Sequence, residues 1–231
     1  MEKKWDKLAV AWLIIALTAV FGAIVYKHVI VSDATSILLT VASDLSAIFG
    51  VAYVICIAKQ ERKAYFFGIA NVILYAFAVY NKGLYISAAY NLLYSFPVLV
   101  YGYIYWGQLE KTGDTEVKQF SIGKKIIGIF LMAFAVILLA LFSKVLLKGN
   151  NVWMDSVVSV CVCVATFLLA KKYIEQWWLF IVSNFMGIIL FFPKSLNDMG
   201  SIDLFAMWTV YFINSIYGYI SWKKSLNERK I

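Results

Sequence analysis

Unbroken apolar runs of about twenty residues recur along most of this 231-residue chain. As an α-helix, a run of that length crosses the roughly 30 Å hydrocarbon core of a bilayer. The chain is 63% hydrophobic and only 15% charged, whereas soluble domains carry roughly 25% charged residues. Because the strands of a membrane barrel would instead alternate over about ten residues, the runs predict an all-α polytopic membrane protein.

The runs predict eight transmembrane helices. They cover residues 8–26, 36–58, 64–80, 84–106, 123–147, 152–170, 176–192 and 201–222. The connectors are short except for "GQLEKTGDTEVKQFSI" at 107–122, which is polar and charged and is therefore predicted to be a loop.

The basic residues predict the orientation of these helices, because cytoplasmic loops carry an excess of lysine and arginine. With a cytoplasmic N-terminus, sixteen of the 21 basic residues lie on the cytoplasmic side. The outer side holds only Lys27, Lys82, Lys144, Lys148 and Lys194. Both termini are therefore predicted to be cytoplasmic. Loop lysines and arginines also explain the net charge of +8 without a nucleic-acid partner.

An internal repeat is visible in two nearly identical hexapeptides, "YGYIYW" at 101–106 and "YGYISW" at 217–222. Each hexapeptide ends a predicted helix, and Asn71 and Asn184 pair upstream of it. Helices two to four thus match helices six to eight, and the fifth helix restores the orientation of the second copy. Such parallel repeats occur in the SWEET transporters, and transporter substrate sites lie near the membrane midplane at the interface between repeats.

The repeat divides the chain into five predicted segments. An accessory transmembrane helix (1–35) precedes three-helix repeat one (36–106). A cytoplasmic loop and linker helix (107–151) lead to three-helix repeat two (152–222), and a cytoplasmic tail (223–231) follows. The predicted fold is therefore an extra N-terminal helix and a SWEET-like 3+1+3 core.

Four asparagines are predicted at similar depth in the membrane: Asn71, Asn91, Asn184 and Asn214, on helices three, four, seven and eight. Polar residues are expensive in hydrocarbon and frequently mark substrate pathways. Hydrogen bonding between helices is the alternative role for each one, at about 0.6 kcal/mol on average. Their convergence at one depth favours a binding site.

Aromatic residues share the helical faces of these asparagines, at spacings of three, four or seven residues. Stacked rings suit a flat heteroaromatic ligand, and carboxamides and phenols suit its hydroxyl groups. Since no basic cluster accompanies them, a phosphorylated nucleotide is a poor candidate. The predicted substrate-binding residues are Asn71, Tyr75, Asn91, Tyr94, Trp177, Phe180, Asn184, Tyr211 and Asn214.

Asp44 and Pro97 are also predicted within the membrane. Asp44 lies about 12 Å deep in the second helix and is a candidate for proton coupling. Pro97 predicts a kink in the fourth helix, whereas the aligned residue of the second repeat is Ile213.

With no His–Glu cluster, no Ser–His pair and no CxxC motif, the sequence predicts no enzyme, catalytic residue, metal or cofactor.

The string "ERKAYFFGIANVILYAFAVYNKGLYISAAYNLLY", the segment "QWWLFIVSN" and the closing "YGYISW" resemble the PnuC family of bacterial vitamin transporters. The similarity covers about residues 36–222. In the family motif W-x-x-W-x-x-x-N, Trp177 and Asn184 match, and Phe180 replaces the second tryptophan. The resemblance implies a 3+1+3 core and facilitated diffusion of nicotinamide riboside across the inner membrane for NAD synthesis. It also implies a functional link to a cytosolic kinase that traps the riboside by phosphorylation.

The sequence is compatible with several alternative functions. The same scaffold could carry thiamine or a flavin, or it could couple transport to protons through Asp44. An intramembrane enzyme and a receptor or assembly subunit without transport are the rivals from other functional classes. The expected partners are the small-molecule substrate and the lipid bilayer, and both a monomer and a homo-oligomer fit the sequence.

Overall fold

The computed structural model describes residues 7–30, 37–81, 85–113, 116–147, 152–197 and 202–227. These residues form a helical bundle. Its elements are α1 (Lys7–Ile30), α2 (Ile37–Ala58), α3 (Ala64–Asn81), α4 (Tyr85–Tyr90), the π-helix π1 (Asn91–Ser95), α5 (Phe96–Thr112), α6 (Ile122–Phe142), the π-helix π2 (Ser143–Leu147), α7 (Val152–Ala170), α8 (Gln176–Asn197) and α9 (Ile202–Asn227).

Three helical segments of the described chain are long and apolar enough to cross a membrane: Val41–Ala58, Ile122–Val145 and Val152–Ala170. Val10–Tyr26, Ala64–Ala78 and Gln176–Ile189 are shorter apolar helical segments. The starts of all eight predicted spans agree with the structure to within one residue. The ends of α1, α5, α8 and α9 extend four to six residues beyond the prediction.

The start of the predicted loop 107–122 is wrong, because residues 107–112 continue α5. The sequence "GQLEKT" contains good helix formers, and the helix ends where Gly113 adopts a left-handed conformation with φ of 74°. Residues 223–227 of the predicted tail likewise belong to α9. Residues 1–6, 31–35 and 228–231 of the predicted terminal segments lie outside the described residues.

Pro97 is associated with a change in helix type rather than a break. The segment α4–π1–α5 is continuous, with helical backbone angles at Tyr90 and Phe96 on both sides of π1. Proline lacks an N–H and its ring clashes with the carbonyl four residues earlier, here that of Leu93. In π1 the Phe96 N–H instead donates to the Asn91 carbonyl, five residues back. The wider turn thus accommodates the proline without ending the helix.

Two groups of helices face each other in the bundle. The first unit consists of α2, α3, α4, π1 and α5, and the second unit consists of α7, α8 and α9. The units pack against each other through α2 with α9 and through α5 with α7. α1 packs against α2 and α9, while α6 packs against α7. Most of α6 presents apolar side chains outward, as expected for a helix in contact with lipid.

The hexapeptide tryptophans join the two units at one end of the bundle. The Trp106 Nε1 of α5 donates to the Ala170 carbonyl at the end of α7, over 3.1 Å. The Trp222 Nε1 of α9 donates to the Ile57 carbonyl near the end of α2, over 3.3 Å. Carbonyls in the last turn of a helix lack intrahelical partners. Each unit therefore caps a helix of the other, and we call this end the tryptophan end.

Four buried rings form a continuous cluster at the tryptophan end. The ring centroids of Tyr65 and Trp106 are 5.2 Å apart. Those of Trp106 and Trp222 are 6.1 Å apart, and those of Trp177 and Trp222 are 5.6 Å apart. Each residue is at most 2% exposed. Aromatic pairs at these separations add to the stabilisation from buried area, so the cluster holds the units together.

The hexapeptide glycines make room for this ring cluster. A Cβ atom at Gly102 would lie 2.5 Å from the Tyr65 ring. A Cβ atom at Gly218 would overlap the Trp177 ring. The glycine and the tryptophan of each hexapeptide thus have the same two roles in both units. The glycine admits a ring of the same unit, and the tryptophan bonds to the other unit.

Candidate functional site

A cavity of about 180 Å³ lies between the two units. It borders the ring cluster of the tryptophan end through Trp177. The side chains that line it come from α2, α3, π1, α5, α7, α8 and α9. They are Tyr53, Val54, Ile57, Asn71, Val72, Ser95, Leu99, Val162, Thr166, Leu169, Trp177, Phe180, Asn184, Trp208, Tyr211, Asn214 and Ser215.

The structure brings six of the nine predicted site residues to this cavity. They are Asn71, Trp177, Phe180, Asn184, Tyr211 and Asn214. Tyr75, Asn91 and Tyr94 are absent from the lining residues.

Asn91 and Tyr94 both belong to π1 and do not line the cavity. The Tyr94 hydroxyl donates to the Cys163 carbonyl of α7. The Tyr94 ring stacks on Tyr90, with centroids 5.6 Å apart. The Asn91 carbonyl accepts the Phe96 N–H within the bulge. The bond from Tyr94 to Cys163 connects the bulged segment to the second unit.

Asn71 and Asn184 are held at the cavity by neighbouring helices. The Asn71 Nδ2 donates to the Ser46 carbonyl of α2 over 2.7 Å and to the Ser46 Oγ over 3.1 Å. The Asn184 Nδ2 donates to the Ser215 Oγ of α9 over 2.8 Å. In both residues the amide nitrogen is used for positioning, so the carbonyl oxygen Oδ1 is the acceptor that can serve a ligand.

Asn214 connects three helices. Its Nδ2 donates to the Val54 carbonyl of α2 over 2.8 Å, and its Oδ1 accepts the Trp12 indole N–H of α1 over 3.3 Å. The side chain is 1% exposed. Because both ends of the amide are engaged, this asparagine has the interhelical role that the sequence left as an alternative.

Aromatic rings of the second unit form much of the cavity wall. Trp177 and Phe180 are arranged edge to face, with centroids 6.2 Å apart. Trp208 and Tyr211 have the same arrangement at 6.4 Å. Edge-to-face pairs hold each other in orientation, so the wall is preorganised to stack against a flat ligand.

The lining contains no aspartate, glutamate, lysine, arginine or histidine among the described residues. Asp44 is half-buried on α2, two residues before Ser46, and does not line the cavity. The described residues also contain no group of three or more potential metal ligands. The cavity therefore offers hydrogen bonds and π faces but no full charge.

Several lining residues were not predicted, notably Tyr53, Ser95, Trp208 and Ser215. Trp208 and Ser215 share a helical face with Tyr211, at positions i−3 and i+4, so the stripe on α9 could have identified them. Tyr53 follows Ser46 by seven residues on α2. Predicting Tyr53 as a lining residue would have required knowing that this face of α2 borders the cavity. Ser95 is the last residue of π1, where regular helical spacing does not apply.

Comparisons with known proteins identify relatives along nearly the whole chain. The nicotinamide riboside transporter PnuC of Neisseria mucosa is 30% identical over 191 residues, which are 79% of this chain and 72% of the relative. PnuC of Haemophilus influenzae is 22% identical over 224 residues, covering 95% and 91%. PnuC of Escherichia coli is 26% identical over 179 residues, covering 64% and 74%.

A solved structure and a protein family give the same result. The crystal structure of the vitamin B3 transporter PnuC matches with a TM-score of 0.73 and 27% identity, covering 97% of this chain and 94% of that chain. These transporter relatives and the apolar helices together identify the chain as a multi-pass membrane protein. The nicotinamide mononucleotide transporter family matches residues 40–224. The chain therefore belongs to this family, which includes the PnuC transporters.

Proposed function

We propose that this protein carries nicotinamide riboside across the bacterial inner membrane by facilitated diffusion, for NAD synthesis. A cytosolic kinase would trap the imported riboside by phosphorylation. The observation that carries the proposal is the uncharged cavity between the units, which is lined by rings and amides. The relatives from three bacteria are named as nicotinamide riboside transporters, in agreement with this chemistry.

The uncharged lining favours the riboside over the mononucleotide that gives the family its name. A phosphate would enter this cavity as a dianion, and an ion transferred out of water without a partner incurs a large desolvation cost. No basic side chain of the described lining could offset that cost. The riboside lacks the phosphate, and the kinase product would be retained inside the cell for the same reason.

The cavity lining also suits the pyridinium ring, the carboxamide and the ribose of nicotinamide riboside. The pyridinium ring of nicotinamide riboside is flat and cationic, and such rings bind aromatic faces such as those of Trp177, Phe180 and Tyr211. Its carboxamide and ribose hydroxyls can donate to the Oδ1 atoms of Asn71 and Asn184. We propose these five residues as the substrate contacts, with Asn214 as a structural support.

The proposed architecture consists of two parallel three-helix repeats. The first unit and the second unit would be related by an axis along the membrane normal, with α6 as linker and α1 as accessory helix. The reciprocal bonds of Trp106 and Trp222 support this relation. The tryptophan end and both termini would face the cytoplasm, in agreement with the positions of sixteen of the 21 basic residues.

Calorimetric titration of the purified protein tests the substrate. We expect nicotinamide riboside to bind and its 5′-phosphate, thiamine and riboflavin to bind at least about tenfold more weakly, the phosphate because of its desolvation. Comparable affinity for riboside and phosphate would contradict the role of the uncharged lining. Preferential binding of thiamine or riboflavin would identify the protein as a carrier of another vitamin.

Uptake into proteoliposomes tests facilitation against proton coupling through Asp44. With equal potassium on both sides and valinomycin present, labelled riboside should move down its own gradient and stop at equal concentrations. An imposed pH difference should have no effect, and Asp44→Asn should retain transport because Asp44 lies outside the cavity lining. Accumulation driven by an inward proton gradient and lost in Asp44→Asn would overturn facilitation.

A further inference from the structure

The Tyr53 side chain combines two properties that are unusual for a polar group in a bundle. It lines the central cavity. Its hydroxyl oxygen is also buried and has no hydrogen-bond partner among the described residues. Buried polar groups are nearly always hydrogen-bonded, so each exception requires an explanation. At the wall of a cavity, the simplest explanation is a partner that arrives with the ligand.

The position of the Tyr53 ring is determined by its neighbours. A Cβ atom at Gly68 of α3 would lie 2.8 Å from this ring, so only glycine permits the observed approach of α3. The Tyr65 ring covers another side, with centroids 6.3 Å apart. A ring held by packing keeps its hydroxyl in place before the ligand binds, which lowers the entropy cost of forming the bond.

Trp177, another residue that lines the cavity, carries a second unpartnered group. The Trp177 indole Nε1 is buried and makes no hydrogen bond within the described part of the chain. An indole N–H can only donate, whereas a phenol hydroxyl can both donate and accept. Together they complement the asparagine Oδ1 acceptors with donors from α2 and α8. Of the two groups, only the phenol can act as both a donor and an acceptor towards a ligand hydroxyl.

We propose that the Tyr53 hydroxyl is a specificity-determining group that hydrogen-bonds a hydroxyl or carboxamide of the carried riboside. This inference rests on the proposed function and adds to it a contact from the first helix of the first unit. A ligand without polar substituents would leave the phenol unpaired inside the cavity. Such a ligand would bind more weakly because a buried donor without a partner is costly.

The chain offers a matched control for testing this contact. Tyr65 also has a buried hydroxyl with no partner among the described residues, but it does not line the cavity. Tyr53→Phe and Tyr65→Phe therefore delete the same atom from similar surroundings, inside and outside the proposed site. Dissociation constants for nicotinamide riboside would be measured by calorimetry, and thermal unfolding would be followed for all three proteins.

We expect Tyr53→Phe to raise the dissociation constant about tenfold. Tyr65→Phe should leave it within about twofold of the wild-type value, because Tyr65 does not line the cavity. Equal dissociation constants for Tyr53→Phe and the wild type would overturn this inference but not the proposed function. An equal increase of the dissociation constant in Tyr53→Phe and Tyr65→Phe would have the same consequence. Failure of the wild type to bind the riboside would overturn the proposed function and this inference with it.

Discussion

The two units of the bundle are alike at the tryptophan end and different towards the other end. At the tryptophan end each supplies a hexapeptide whose tryptophan caps a helix of the other unit. Further along, the first unit has the bulge π1 followed by Pro97, while α9 of the second unit continues as a regular helix from Ile202 to Asn227. The two units are therefore similar at the end where hydrogen bonds and packed rings join them.

The cavity wall shows the same division of roles. Among the described lining residues, the second unit supplies the rings of Trp177, Phe180, Trp208 and Tyr211, whereas the first unit supplies only that of Tyr53. Within the described parts of the helices that line the cavity, a π-bulge occurs only in the first unit, as π1. Such bulges are common sites of local adjustment in helices. On the proposed function, ligand recognition would be concentrated in the second unit and conformational freedom in the first.

The largest effect is expected where the units are alike. Trp106→Ala and Trp222→Ala should each lower the free energy of unfolding by about 3–5 kcal/mol, because each removes a fully buried ring from the core. If the two caps are equivalent, the losses should agree to within about 1 kcal/mol. Chemical denaturation in detergent micelles would measure them. A variant at one position that unfolds like the wild type would break the equivalence.

The second prediction tests recognition by the second unit. Asn184→Leu should weaken riboside binding by about 1–3 kcal/mol, because it removes the Oδ1 acceptor from the cavity. Phe185→Leu is the control, since Phe185 is 48% exposed and does not line the cavity. Calorimetry on both variants gives the comparison. Normal binding by Asn184→Leu, or an equal loss in the control, would contradict the proposed contact.

The third prediction separates the two asparagines of the second unit. Asn214→Leu should lower the free energy of unfolding by about 1 kcal/mol, because it removes two interhelical hydrogen bonds of about 0.6 kcal/mol each. Its transport should be retained once the variant is folded. Thermal unfolding and proteoliposome uptake measure the two quantities. Lost uptake at unchanged stability would assign Asn214 to the ligand instead.

The smallest effect on stability is expected at the bulge. Pro97→Ala restores an N–H that can bond to the Leu93 carbonyl, so π1 can relax towards a regular α-helix. We expect a stability change within about 1 kcal/mol, unchanged riboside affinity and slower uptake. Kinetics of uptake at saturating riboside would show the change. Unaltered uptake would show that the bulge has no part in the transport cycle.

Apolar run length predicted the helices well because the thickness of the bilayer leaves few alternatives. It did not predict that α5 continues through residues 107–112, since charged residues suggested a loop where their helix propensity decided the outcome. Periodicity also placed Asn91 and Tyr94 with the other candidates. Both lie in π1, where the wider turn changes the direction of successive side chains.

The contacts of the buried amides could not be predicted from the sequence either. Asn184 and Asn214 are the same residue type, buried on adjacent helices. Within the described residues the Asn184 side chain is bonded through its Nδ2, whereas the Asn214 side chain is bonded through both Nδ2 and Oδ1. The difference depends on Trp12, which belongs to α1, outside the predicted repeat. Spacing within a helix identifies its polar face but not the neighbour that satisfies it.

The uncharged cavity has a consequence for the energetics of transport. Nicotinamide riboside carries one positive charge, and no charged side chain of the described lining neutralises it. On the proposed function, each crossing would move a net charge through the membrane, and the transport would be electrogenic. A membrane potential of about 100 mV, negative inside, contributes about 2.3 kcal/mol per charge, which corresponds to about fiftyfold accumulation. A passive carrier could therefore concentrate its substrate using only the resting potential of the cell.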